Sequence, residues 1–338
     1  MNNVPFKRFR VMVWGIVMGL GVGVITSSIA NVSSNYLRPQ IIPIPEDNFP
    51  TEARVELGKN LFFDPRLSGS NWISCGTCHN PAMGWSDGLP TAIGNGQKTL
   101  GRATPTIINS AFNVLQMWDG RFRSLEQQAL GPIGAPGEMH QDVKELLKEL
   151  SKISGYKQLF ENAYPGEGIT EKTIAKAIAS FERTIISTDS PFDEWVKGDK
   201  SALSGEAIRG FELFEGKAKC VKCHSGYNFT DNGFHNIGLK NAKDMGRFAI
   251  RKVKINKGAF KTPTLRDIAK TAPYMHNGEY ETLDQVVEHY NRGGVSKKSL
   301  DPNITPLNLS HQEKSDLVAF LNSLSGKPMK ITIPELPQ

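Results

Sequence analysis

The chain has 338 residues, with 40 Lys and Arg against 34 Asp and Glu for a formal charge of +6. Apolar residues make up 39% of it, and the length is generous for one domain and comfortable for two. The charge excess is too small to argue for a nucleic-acid partner.

The chain begins MNNVPFKRFRVMVWGIVMGLGVGVITSSIAN. Lys7, Arg8 and Arg10 precede an apolar run from Val11 to Ile25, and Ser28-Ile29-Ala30 follows with small residues. This is the pattern of a secretory signal peptide over residues 1–30, with cleavage after Ala30. An uncleaved anchor is the alternative, because the run is only slightly short of the roughly 20 residues a span prefers. Either way the body is expected outside the cytoplasmic membrane, in the periplasm, with membrane contact only if the segment stays. Cleavage removes three basic residues and no acidic one, so the formal charge falls to +3.

Next comes CGTCH at 75–79, and its counterpart CVKCH lies at 220–224; together they hold every cysteine of the chain. Two thiols three positions apart can add to the two vinyl groups of one porphyrin while the following histidine reaches the iron. Zinc ribbons keep their pairs roughly 15–20 residues apart, whereas well over a hundred residues intervene here. A dithiol redox pair leaves both histidines unexplained. Cys75, Cys78 and His79, then Cys220, Cys223 and His224, are therefore read as the attachment sites of two covalent c-type haems.

TPT at 104–106 recurs at 262–264, and MWDGRFRSLEQQ from 117 aligns without gaps on MHNGEYETLDQV from 275, both at an offset of 158. The haem motifs lie 145 apart, so the second copy is shorter between its haem motif and its TPT. Helical periodicity fills the intervals. Val143, Leu146, Leu147 and Leu150 share one face, as do Ile174, Ile178, Phe181 and Ile185. Thr282 with Gln285, and Ser310 with Glu313, make capping boxes, the second opening a helix for which Gly326 is the expected stop. No run alternates like a strand. The expected fold is mainly α: two cytochrome c-like haem domains related by internal duplication, over 31–190 and 200–338, joined through a polar, broken stretch at 187–203.

Leu283, Val286, Val287 and Tyr290 share a helical face, with His289 about 100° away around the axis. At the offset of 158, Tyr290 falls on Pro132 and His276 on Trp118. If this position faces the haem in both lobes, Tyr290 closes the second iron and Pro132 leaves the first one open. Gln128 and Glu138 flank Pro132, where a carboxylate can move a proton between the oxygens of hydrogen peroxide. The plainer reading of both is a pair of solvated loop residues.

These residues resemble the bacterial diheme cytochrome c peroxidase and MauG family from about residue 45 to 325, through both CxxCH sites, MWDGR, LGP, GEMH, TPTLRD, TAPYMHNG and HYNRGG. The resemblance implies a peroxide-reacting first haem with Gln128 and Glu138 as its distal pair, and Trp118 as an electron path between haems. It implies a calcium ion held partly by the main chain of Thr271 and Pro273, although Ala103 stands where the peroxidases carry an asparagine ligand. It also implies a dimeric assembly, as many of these peroxidases form. The histidine that blocks the resting peroxidases, sixteen residues after the proximal one, is here Asn95, and their methionine on the second haem is replaced by Tyr290, with Met275 as the rival ligand. Both departures run towards MauG. Three functions are therefore in view: a MauG-like, peroxide-dependent oxidation of a protein partner; a peroxidase fed by a small cytochrome or cupredoxin; and a diheme electron carrier.

Overall fold

The computed structural model describes residues 34–240 and 243–338, so the signal reading of 1–30 lies outside the described residues. In chain order the helices are α1 (Glu52–Phe63), the single turn α2 (Cys75–Cys78), α3 (Leu125–Gly134), α4 (Val143–Leu150), α5 (Ser154–Ala163), α6 (Glu171–Glu182), α7 (Pro191–Lys197), α8 (Gly205–Glu215), α9 (Leu283–Asn291) and α10 (His311–Ser323). Strands β1 (Phe234–His235) and β2 (Phe260–Lys261) form one short antiparallel ladder. None of the described helices is long and apolar enough to cross a membrane.

Two cores result. Leu57, Leu61, Phe62, Phe160, Ile174 and Ile178 anchor the first, and Phe192, Phe211, Phe214, Phe229, Phe320 and Leu324 the second. Each is built on one helix crossing, α1 on α6 and α8 on α10. A glycine makes each crossing tight: a Cβ on Gly58 would stand 1.9 Å from the Ala177 carbonyl oxygen, and one on Gly210 1.9 Å from that of Asp316. Alanine gains about 1 kcal/mol of helix propensity over glycine. Overpacking costs about 1–3 kcal/mol, and a backbone oxygen cannot swing aside. Gly58→Ala and Gly210→Ala are each expected to lower the thermal midpoint, read by far-UV circular dichroism.

The duplication is written into the backbone. Asn109 and Asp267 have φ of 59° and 58°, and Met117 and Met275 of 72° and 76°, each pair 158 residues apart. Isolated bridges join Gln116 to Phe122 and Tyr274 to Tyr280. Across the interface, the Ala103 N–H donates to the His276 carbonyl (2.7 Å) while the Lys261 N–H donates to the Trp118 carbonyl (2.8 Å). Because 103 pairs with 261 and 118 with 276 in the repeat, these bonds are the reciprocal contacts of a two-fold axis.

Two local expectations are revised. The 187–203 stretch contains α7, capped by Ser190 and Asp193, and Phe192 from it is fully buried in the second core. Helix α10 stops at Ser323, before Gly326, because the Leu324 carbonyl turns aside to accept from the Asp267 N–H (3.1 Å). His289, about 100° around α9 from the apolar stripe, is buried as well, at 2% exposure.

Candidate functional site

Both CxxCH motifs curl into a single turn in which the histidine N–H returns to the first cysteine carbonyl, at 2.8 Å for His79 and 2.9 Å for His224. The Nδ1 of His79 lies 3.1 Å from the Trp85 carbonyl oxygen and that of His224 2.9 Å from the Phe229 oxygen. A carbonyl can only accept, so each Nδ1 carries the proton and each Nε2 lone pair is free for iron. Burial lowers both imidazole pKa values, His224 to about 4, and keeps the rings neutral. The four cysteines form no disulfide, and burial pushes Cys78 up to about 11 and Cys220 up to about 12. A pair of free thiols and an oriented imidazole in each lobe fit one thioether-linked haem per lobe.

The first cavity, about 500 Å³, is lined by Cys75, Cys78 and His79 and by Gln128, Pro132 and Glu138. Pro132 sits within α3, which is the repeat counterpart of α9. The second cavity, about 170 Å³, is lined by Cys220, Cys223, His224 and by Leu283, Val286 and Tyr290. The narrower cavity is thus the one in which a phenol replaces the proline ring. Burial raises the carboxyl pKa of Glu138, with nearby Arg121 opposing the rise.

Trp118 lines both cavities and anchors its indole on the Ala103 carbonyl (2.9 Å). Its ring lies 6.3 Å from that of His276, its own repeat partner. Met275 also lines both cavities. His79 is the only histidine on the first cavity wall; Asn95 and His140 are not on it. Instead the Asn95 amide donates to Nδ1 of His140, 3.0 Å away, and His140 is exposed.

Sequence reasoning missed two wall residues. Glu182 lines the first cavity at 4% exposure, one carboxyl oxygen has no hydrogen-bond partner, and burial raises its pKa to about 8. Lys261 lines both cavities, buried, with its ammonium on the Thr262 carbonyl (3.0 Å) and its pKa lowered to about 8 by burial. The one available signal was Lys261 directly after Ala259 and Phe260; Glu182, beside Arg183 in SFERTI, carried none.

The pattern of the di-haem cytochrome c peroxidase family matches residues 52–201, and that of cytochrome c matches residues 207–325. The methylamine utilization protein MauG of Methylorubrum extorquens is 46% identical over 312 residues, covering 91% of this chain and 88% of its own. The cytochrome c551 peroxidase of Pseudomonas aeruginosa is 37% identical over 297 residues, covering 85% and 83%. A solved MauG-like protein associated with microbial copper homeostasis superposes with a TM-score of 0.80 at 31% identity, covering 86% of this chain and 93% of its own. The chain belongs to the di-haem cytochrome c peroxidase family, and it is a peroxide-dependent diheme oxidoreductase of two cytochrome c-like domains. Among these relatives it is similar to MauG at higher identity than to the peroxidase.

Proposed function

We propose that this protein accepts hydrogen peroxide at the first haem and draws the electrons from a protein partner through the second, in the periplasm and in the manner its likeness to MauG suggests. One observation carries the reading: Pro132 and Tyr290 occupy equivalent repeat positions, on corresponding helices, each on the wall of its own cavity. A proline ring offers iron nothing, and a phenol offers an oxygen. A haem held by Cys75, Cys78 and His79 would supply the iron and the two electrons for reductive cleavage of the peroxide O–O bond.

The side chains do the rest. Glu138 takes the proton from the near peroxide oxygen and delivers it to the far one, so that water leaves; the Gln128 amide orients the peroxide. Trp118 bridges the cavities. His79 and His224 are held in register by the Trp85 and Phe229 carbonyls. Calcium enters no step. Thr271 and Pro273 offer main-chain oxygens, but Ala103 has no side-chain oxygen to add, and its carbonyl already accepts from Trp118. Calcium takes 6–8 oxygens, of which these residues would supply main-chain carbonyls alone.

The purified ferric protein is expected to give one high-spin and one low-spin signal in electron paramagnetic resonance. Equimolar peroxide is expected to change its Soret band within seconds, with no prior reduction. Two low-spin signals of equal weight, or a protein inert until given one electron, would mean that His140 or another group occupies the first iron. The peroxidase fed by a small electron carrier would then be the better reading, and dimerisation, common in that group, would need a separate measurement of mass in solution.

A further inference from the structure

The second lobe carries a tyrosine–histidine contact beside its haem cavity. The Tyr280 hydroxyl lies 2.9 Å from Nδ1 of His289, and Nε2 of the same ring lies 2.9 Å from the Ile237 carbonyl oxygen. That carbonyl can only accept, so in the neutral ring Nε2 carries the hydrogen and Nδ1 is the acceptor of the phenol O–H. The His289 ring is 5.3 Å from Tyr280 on one side and 5.3 Å from Tyr290 on the other. Tyr290 lines the second haem cavity, whereas His289 and Tyr280 line an open groove of about 750 Å³ that Tyr290 does not reach. Three rings therefore run in sequence from the haem wall to the surface.

The first lobe shows that this is no by-product of the fold. Phe122 is the repeat counterpart of Tyr280 and makes the same bridge, to Gln116 as Tyr280 does to Tyr274. The counterpart of His289 is Gly131, and Phe122 packs over it so closely that a Cβ there would meet the ring at 2.7 Å. The same backbone thus carries phenylalanine on glycine in one lobe and tyrosine on histidine in the other. Only the second combination can give up an electron and place the proton.

We propose that Tyr280 and His289 form a redox-active tyrosine–histidine pair through which oxidising equivalents leave the second haem for a protein side chain at the groove. This rests on the MauG-like reading above, with hydrogen peroxide as the oxidant. In the step, one electron passes from the Tyr280 phenol through His289 and Tyr290 to the oxidised haem pair. The Tyr280 O–H bond breaks, its proton moves to His289 Nδ1 along the existing hydrogen bond, and a neutral tyrosyl radical remains. That separation is within the 2.6–3.2 Å reach of proton transfer. A partner side chain then returns one electron, and His289 returns the proton. Reduction of one peroxide to two waters consumes two electrons, hence two passes, and two protons, which the oxidised partner side chains release to solvent and the first pocket takes up. The groove walls carry Glu279, Asp284 and Glu288 beside Arg292 and Lys314, a mixed-charge rim of the kind that orients a protein partner.

The test uses the full protein with both haems attached, ferric, mixed with equimolar hydrogen peroxide without any partner and frozen within seconds. A tyrosyl signal is expected in electron paramagnetic resonance, narrowed in protein made with ring-deuterated tyrosine and lost in Tyr280→Phe, while the Soret change is the same in both. A nitroso spin trap is expected to add mass to the peptide containing Tyr280 in the wild type only. An undiminished signal or adduct in Tyr280→Phe overturns the pair, as does a normal Soret change with no tyrosyl signal and no adduct in the wild type. No Soret change in either protein overturns the open first iron itself and removes the oxidant of the pair with it.

Discussion

Exchange of Glu138 for glutamine is expected to slow the reaction of the oxidised protein with hydrogen peroxide by about 10²- to 10⁴-fold, the range general acid–base groups contribute. Breaking the O–O bond requires the proton of the near oxygen to arrive on the far one, and glutamine, similar in size, can orient peroxide but not carry that proton. The pH dependence has a definite sign. Burial raises the Glu138 pKa above the ordinary carboxylic value, so the neutral acid persists to higher pH than usual. Only the carboxylate can accept a proton, so the rate should rise as pH climbs through the raised pKa and level off above it. In Glu138→Gln that rise should vanish. Stopped-flow measurement of the Soret change across pH reads both effects, and an unchanged rate in the variant would make Glu138 a bystander on the cavity wall.

The second large effect is expected at Tyr290. Tyr290→Phe should abolish the low-spin ferric signal of the second haem, and Met275→Leu should leave it intact. Met275 lies on the wall common to both cavities, whereas Tyr290 lines the second alone, on the helix whose counterpart carries Pro132 over the first. Burial pushes the free phenol pKa upward, so the phenolate needs a positive centre to stabilise it, which ferric iron supplies and ferrous iron supplies less well. An anionic oxygen ligand should therefore hold the second haem at low potential. Tyr290→Met should raise that potential in spectroelectrochemical titration. Loss of the low-spin signal in Met275→Leu with retention in Tyr290→Phe would reverse the assignment.

The parts of the molecule legible in the sequence were those governed by fixed local spacing. The haem motifs need cysteines three apart, and helices α4, α6, α9 and α10 announce themselves through periodicity and caps. The constant offset of 158 carried further, because it gave Pro132 a meaning through Tyr290. What periodicity could not show is which element covers the neighbouring face of a helix. His289 lies off the apolar stripe, yet it is buried because Tyr280 and the 237 carbonyl close over it. In the same way Phe192 sits in a polar segment and is recruited into a core assembled from residues far along the chain, at 211, 229 and 320. Glu182 and Lys261 look like ordinary surface charges until the walls around them are assembled.

The reciprocal bonds from Ala103 to His276 and from Lys261 to Trp118 are what two copies of a one-haem protein would form across a symmetric dimer. Joining the copies in one chain removes two constraints at once. Their encounter becomes intramolecular, so the distance between the haem pockets no longer varies with dilution. Symmetry also no longer forces a change in one copy upon the other: proline can stand against tyrosine, tryptophan against histidine, and phenylalanine on glycine against tyrosine on histidine. A homodimer with the same interface would have two open irons or two closed ones. Covalent linkage lets one frame hold a proline-walled pocket and a tyrosine-walled one at a fixed separation, and a substitution on the axis, at Trp118 or Lys261, will be felt by both pockets, whereas one at Pro132 or Tyr290 will be felt by its own.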